Sequence, residues 1–75
     1  MERIELDSTA LAWVRYLPAD RVLQVGMRSG MVYDYFDVPV QIYCDLLAAE
    51  SKGRYYNQHI RNVFRFQRSR PNATT

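Results

Sequence analysis

The 75-residue sequence contains one cysteine and one histidine, which leaves little for catalysis or metal binding. A single cysteine excludes an internal disulfide, and a zinc site needs three or four ligands. A Cys44–His59 nucleophile pair would require two helices to bring it together, and no third group is evident to orient it. We therefore predict no enzyme activity, no metal and no cofactor. Cys44 is expected to be a small buried or half-buried hydrophobe, and His59 a surface or capping residue.

Long apolar runs are also absent. No segment approaches the roughly 20 apolar residues of a membrane span, and residues 1–7 are charged where a signal peptide has an apolar core. With the lone cysteine, these features predict a cytoplasmic protein without membrane contact. Hydrophobic residues make up 48% of the chain, enough for the core of one domain. Because chains of this length bury only about 60% of their unfolded surface, self-association would also stabilise such a domain.

Acidic residues are missing from the last third of the chain. Residues 1–50 contain four arginines and all eight carboxylates, a net charge of −4. Residues 51–75 contain six cations and no carboxylate. The cations are Lys52, Arg54, Arg61, Arg65, Arg68 and Arg70. This division predicts a polyanion partner, and the alternative is a solvated basic face with a basic tail.

Alternating hydrophobicity predicts three β-strands joined as an antiparallel meander, at residues 11–17, 22–27 and 31–37. Pro18 and Asp20 are turn formers, and a four-residue turn at 18–21 pairs Ala12 with Met27. The second turn decides which side chains meet the core. A two-residue turn at Ser29-Gly30 would place Asp34 on the apolar face, whereas a three-residue turn at 28–30 needs Gly30 at positive φ.

Only the three-residue turn collects the apolar side chains on a single face, and we predict this register. The apolar face then consists of Ala12, Val14, Tyr16, Leu23, Val25, Met27, Tyr33 and Tyr35. The opposite face presents Trp13, Arg15, Gln24, Arg28, Val32, Asp34 and Phe36.

Helical periodicity begins after Asp37. Pro39 suits the first turn of a helix, and Gly53 is placed to stop that helix. A second helix is predicted at about residues 55–63. The first apolar stripe is Val40, Tyr43, Leu46 and Leu47. The second helix would bury Tyr56, Ile60, Val63 and Phe64 and direct Arg54, Arg61 and Arg65 away from the core. The predicted fold is α+β, a three-stranded antiparallel β-meander followed by two helices packed on one face. Residues 1–8 are expected to form an N-terminal arm and residues 67–75 a flexible tail.

Four short motifs follow one another along the chain. They are Y-x-Y at Tyr33 and Tyr35, V-P at Val38 and Pro39, S-x-G at Ser51 and Gly53, and Y-N-x-x-I-R at Tyr56, Asn57, Ile60 and Arg61. In this order they resemble the KTSC domain, which is named from the C-terminus of certain lysyl-tRNA synthetases and also occurs alone in small bacterial and phage proteins. The resemblance covers residues 9–66. It implies a structural role for the motif residues and, through the synthetase attachment, RNA binding.

Two surfaces are candidates for binding RNA or another nucleic acid. On the predicted outer sheet face, Trp13 and Phe36 would stack on bases beside Arg15. The alternative is that the same two rings form a homodimer or bind a protein partner. The second candidate surface is a basic set that would contact phosphates. It consists of Lys52, Arg54, Arg61, Arg65 and Arg68.

The two tyrosines of the Y-x-Y motif have two possible roles. The predicted register favours Tyr33 and Tyr35 as core residues over exposed stacking platforms, because a buried tyrosine needs only a hydrogen-bond partner. Asn57 would provide that partner or cap the second helix.

Overall fold

The computed structural model describes residues 2–69 and shows four strands, two helices and a final strand. In chain order the elements are β1 (Ile4–Glu5), β2 (Leu11–Leu17), β3 (Val22–Met27), β4 (Val32–Tyr35), α1 (Val40–Ala48), α2 (Lys52–His59) and β5 (Phe66–Ser69). The strands form one antiparallel sheet in the order β1-β2-β3-β4-β5. The predicted α+β class is confirmed. The predicted number of strands is wrong, since the meander gains a strand at each edge.

The two additional strands lie in segments that were predicted to be an arm and a tail. In β1, Ile4 pairs with Val14. The Arg28 side chain helps to hold this segment on the sheet, donating from Nη2 to the Leu6 carbonyl at 2.7 Å and from Nε to the Ser8 carbonyl at 2.9 Å. At the other edge, β5 pairs with β4. Residues 70–75, the rest of the predicted flexible tail, lie outside the described residues.

The register of the central meander is confirmed. Val14 pairs with Val25, which pairs in turn with Tyr33. The second turn contains three residues, since the Met27 N–H donates to the Met31 carbonyl at 2.8 Å. Gly30 has a φ of 100°, in the region that only glycine adopts without strain. The turn therefore sets the face on which each β4 side chain lies.

A bulge in β2 changes one predicted core position. The register shifts between Leu11 and Trp13, so Leu11 and not Ala12 pairs with Met27. Leu11 is fully buried and Ala12 only half-buried. The extra residue of a β-bulge is left unpaired, and here the bulge puts the larger apolar side chain into the core.

The helices cover the apolar face of the sheet, but in each helix some residues that were predicted to be buried are exposed. Tyr43 and Leu46 of α1 are buried, whereas Val40 is 49% exposed and Cys44 is also exposed. Cys44 is thus not the buried or half-buried residue expected. The ring of Tyr43 stacks on that of Tyr16 at a centroid distance of 5.3 Å. The Tyr16 hydroxyl donates to the Val38 carbonyl at 2.6 Å, which ties the connection before α1 to the sheet.

The second helix begins and ends earlier than the predicted residues 55–63. Ser51 caps its start by accepting a hydrogen bond from the Arg54 N–H at 3.3 Å, so Asn57 is not the cap. After His59 the chain turns at residues 60–63, where the Val63 N–H donates to the Ile60 carbonyl at 3.1 Å. Asn62 adopts a φ of 64°, which asparagine tolerates better than most residues.

This early end displaces several side chains assigned to the second helix. Arg61 lies in the turn and Arg65 in the connection to β5, so the predicted arginine-bearing helix face does not exist. Ile60 is buried as predicted, but Val63 is 58% exposed.

Candidate nucleic-acid interface

Two buried tyrosines form the centre of the candidate site. Tyr35 on β4 and Tyr56 on α2 are 2% and 5% exposed, and their hydroxyl oxygens lie 2.5 Å apart in a hydrogen bond that either group can donate. Burial raises the pKa of Tyr35 well above its ordinary range, and the bond to Tyr56 adds to this effect. The positive charge of Arg61 acts in the opposite direction. Tyr35 is therefore neutral at physiological pH, and Tyr56 and not Asn57 is its hydrogen-bond partner.

A cleft of about 460 Å³ opens above this pair, and we call it the tyrosine cleft. Strand, helix, turn and edge strand all contribute to it. Its lining includes Tyr33, Tyr35, Tyr56, Asn57, Arg61, Asn62 and Phe66. Five of these belong to the Y-x-Y and Y-N-x-x-I-R motifs. The structure thus places the two motifs, separated along the chain, around one cavity.

The edge strand β5 provides the outer wall of the cleft. Phe66 pairs with Tyr35 and Arg68 with Tyr33, and directly paired residues lie on the same face of a sheet. The Phe66 ring meets the Tyr33 ring edge-on at a centroid distance of 5.7 Å and remains 50% exposed. Tyr33 is half-buried, so only Tyr35 of the pair is a full core residue. Phe66 was not among the predicted site residues, because its position depends on a strand pairing that its own segment does not reveal.

Arg61 is the cation of the basic set that lines the cleft, and Arg68 lies next to the cleft on β5. Arg61 lines the cleft and is exposed, and its guanidinium group forms no hydrogen bond or ion pair within residues 2–69. Arg68 is exposed on the same sheet face beside Tyr33. Two guanidinium groups that lack a partner within residues 2–69 lie next to an aromatic cavity, and this arrangement favours an anion.

The other cations are separate from the cleft or already engaged. The Lys52 ammonium group donates to the Ala49 carbonyl at 2.8 Å, at the end of α1. Arg65 lies 3.7 Å from the Asp37 carboxylate, with its guanidinium 5.3 Å from the centroid of the Phe36 ring. Arg54 is exposed in the first turn of α2. The predicted basic set is therefore dispersed over several elements.

The outer sheet face has the predicted orientation but little free aromatic surface. Trp13 pairs with Gly26, and a Cβ atom on Gly26 would lie 2.1 Å from the indole Nε1, so the ring rests on the glycine backbone. The guanidinium carbon of Arg3 lies 4.2 Å from the centroid of the same ring. The indole is thus in contact with both the Gly26 backbone and the Arg3 side chain. Arg15 is exposed on this face, in register with Gln24.

The described residues bring together no metal-binding cluster. Among residues 2–69, no group of three or more histidine, cysteine or acidic side chains is arranged to hold a metal ion. His59 is exposed, and its ring lies 4.5 Å from that of Tyr55. No helix in this part of the chain has the length and apolar character to cross a membrane.

Comparison with known proteins identifies relatives over most of the chain. A protein of Tsukamurella paurometabola is 38% identical over 60 residues, which span 80% of this chain and 90% of the relative. An uncharacterized protein of Stutzerimonas stutzeri is 40% identical over 58 residues, 77% of this chain and 82% of the relative. The lysine–tRNA ligase of a Nostoc species is 36% identical over 53 residues, 71% of this chain but 9% of the ligase.

The fold and the family model agree with these relatives. The crystal structure of a KTSC domain protein from Yersinia pestis superposes with a TM-score of 0.88 at 26% sequence identity, covering 91% of this chain and 96% of that one. The family model of the KTSC domain matches residues 7–64. This range includes all four short motifs, and the chain therefore belongs to the KTSC domain family.

Proposed function

We propose that this domain is a non-catalytic accessory module that binds RNA, in preference to DNA, at the tyrosine cleft. The observation that carries the proposal is the convergence of Tyr33, Tyr56 and Arg61 on one cavity, where the Arg61 guanidinium has no partner among the described residues. Aromatic rings beside arginines are the combination that binds unpaired nucleotides, since bases stack while guanidinium groups hold phosphate.

The charge distribution and the relatives support the same function. The six cations and absence of carboxylates after residue 50 provide an attractive potential for a polyanion. One relative is a lysine–tRNA ligase, which by its name acts on tRNA, and the match occupies 9% of it. A segment of that size suits an added contact with RNA better than the chemistry of the ligase.

The proposal is tested by measuring binding of tRNA and of single-stranded RNA to the purified chain, by fluorescence anisotropy at several salt concentrations. We expect a dissociation constant of about 1–100 µM at physiological salt, which tightens steeply as salt is lowered because counterions are released from the phosphates. The matching single-stranded DNA should bind more weakly. Absence of binding to any RNA at low salt would refute the proposal.

Charge reversal locates the interface. Arg61→Glu should weaken RNA binding at least about tenfold and lower the slope of log K against log salt by about 0.7 for each lost phosphate contact. Arg21→Glu is the matched control, since it makes the same charge change at an exposed site away from the cleft. Arg21 lies in the turn before β3, and the cleft is lined by Met27 at the opposite end of that strand. Equal effects of the two substitutions would show a general charge effect and no site at the cleft.

The competing hypothesis is a protein-interaction or homodimerisation module that uses the outer sheet face. Trp13 and Phe36 lie on this face, but arginine side chains already cover each ring. A stable dimer on a sizing column that Trp13→Ala dissociates, with no RNA binding at low salt, would favour this hypothesis. The assays separate the two because apolar association does not weaken steeply with salt.

A further inference from the structure

The tyrosine cleft has the size and lining of a site for a small planar group. Its volume of about 460 Å³ lies within the range of roughly 300–1,000 Å³ that is typical of ligand pockets. The buried rings of Tyr35 and Tyr56 form its base, and their hydroxyls are engaged with each other. Because these hydroxyls are already paired, polar contacts with a ligand have to come from other residues of the cleft.

The walls of the cleft add accessible aromatic surface. Tyr33 is half-buried and Phe66 is 50% exposed, and their rings meet edge-on at 5.7 Å. Phe66 also contacts the Tyr35 ring at 5.7 Å, and the exposed half of its side chain remains available to a planar partner. Every nucleobase has a π-face, and stacking on an aromatic side chain is the usual way in which proteins hold an unpaired base.

The rim of the cleft carries unsatisfied hydrogen-bonding groups. The side-chain amides of Asn57 and Asn62 line it, and neither forms a hydrogen bond within residues 2–69. The Tyr33 hydroxyl is likewise without a partner in this part of the chain. Each amide offers a donor and an acceptor about as far apart as the neighbouring groups on the edge of a base.

We infer that the tyrosine cleft takes a single unpaired nucleobase from the bound strand. The base stacks on Phe66 with Tyr33 beside it, its edge meets Asn57 and Asn62, and the adjoining phosphate is held by Arg61. This inference rests on the proposed RNA binding and adds what the cleft recognises, since phosphate contacts alone would need no aromatic cavity.

The test compares a single-stranded RNA with an oligonucleotide of the same length and backbone in which every nucleotide is abasic. Both carry the same phosphates, so only the contribution of the bases differs. Removal of the bases should weaken binding to the wild-type chain by about 5- to 150-fold, the range expected for loss of one stacked base.

Two substitutions assign this difference to the cleft. Phe66→Leu keeps apolar bulk on β5 but removes the π-face, and Asn57→Ala removes one amide from an exposed position of α2. Each should weaken binding of normal RNA and leave binding of abasic RNA unchanged. Gln58→Ala is the control, because Gln58 is exposed on the same helix and does not line the cleft. Far-UV circular dichroism and a thermal melt establish that each variant is folded.

Three results decide whether the tyrosine cleft holds a base. Loss confined to normal RNA in both variants supports a base in the cleft. Equal affinity of the wild-type chain for normal and abasic RNA, or equal losses on both RNAs in the variants, overturns it. In that second case the proposed function still stands if Arg61→Glu weakens both RNAs. Failure of the wild-type chain to bind any RNA overturns the inference together with the proposed function.

Discussion

The hydrogen bond between Tyr35 and Tyr56 makes a sharp prediction about the energetics of the site. Tyr35→Phe removes one hydroxyl and leaves that of Tyr56 buried without its partner, and Tyr56→Phe does the reverse. The two side chains are 2% and 5% exposed, so water cannot readily replace the lost group. An orphaned buried hydroxyl costs about 1–3 kcal/mol, and each single substitution should lower the free energy of unfolding by about that amount.

The double substitution separates this explanation from a loss of packing. With both hydroxyls removed, no polar group is left unsatisfied, and replacing both partners by apolar groups of the same shape is nearly neutral. Tyr35→Phe/Tyr56→Phe should therefore be more stable than the sum of the single effects predicts, and a nearly neutral double substitution corresponds to a coupling energy of about 2–6 kcal/mol.

Urea unfolding followed by circular dichroism and by the fluorescence of Trp13, the one tryptophan in the sequence, measures all four proteins. Tyr55→Phe is the control, since the hydroxyl of this half-buried residue has no hydrogen-bond partner within residues 2–69. It should change stability by less than about 0.5 kcal/mol. Strictly additive single effects, or single variants as stable as the wild-type chain, would refute the reasoning.

Three further predictions follow from the same structure. Because burial raises the pKa of Tyr35 above its ordinary value of 10, its contribution to stability is complete below pH 10 and is lost as the pH rises further. Unfolding free energies between pH 8 and 11 should show this decline, and Tyr35→Phe should reduce the slope; an unchanged slope would contradict it. Gly26→Ala places a Cβ atom 2.1 Å from the Trp13 indole, so it should cost about 1–3 kcal/mol and red-shift the Trp13 emission as the ring leaves the sheet. Emission identical to wild type would show that the indole does not rest on Gly26. At Gly30 an added Cβ meets nothing within 4 Å, but φ is 100°, so Gly30→Ala should cost about 1–2 kcal/mol and Gly30→Val more. A Gly30→Val protein that melts at the wild-type temperature would be evidence against the turn.

Part of the candidate site could be predicted from the sequence. The Y-x-Y and Y-N-x-x-I-R motifs and the basic character of Arg61 and Arg68 are visible without coordinates. What they form together was not predicted, because Tyr33, Asn57 and Phe66 meet across three elements that no local pattern connects. The same holds for the outer face, since Trp13 was expected to be free for stacking but contacts Arg3, which directly precedes the edge strand β1 that was not predicted.

The amino-acid sequence alone determined the α+β class, the three central strands and their register, because alternation, turn formers and the backbone freedom of Gly30 act over a few neighbouring residues. Tertiary structure decided the edge strands β1 and β5, the β2 bulge and the early end of α2. Short polar strands such as Phe66–Ser69 acquire their conformation from the free edge of a neighbouring strand. The position of Phe66 beside Tyr33 and Arg61, and with it the cleft, depends on that long-range pairing, which no segment encodes by itself.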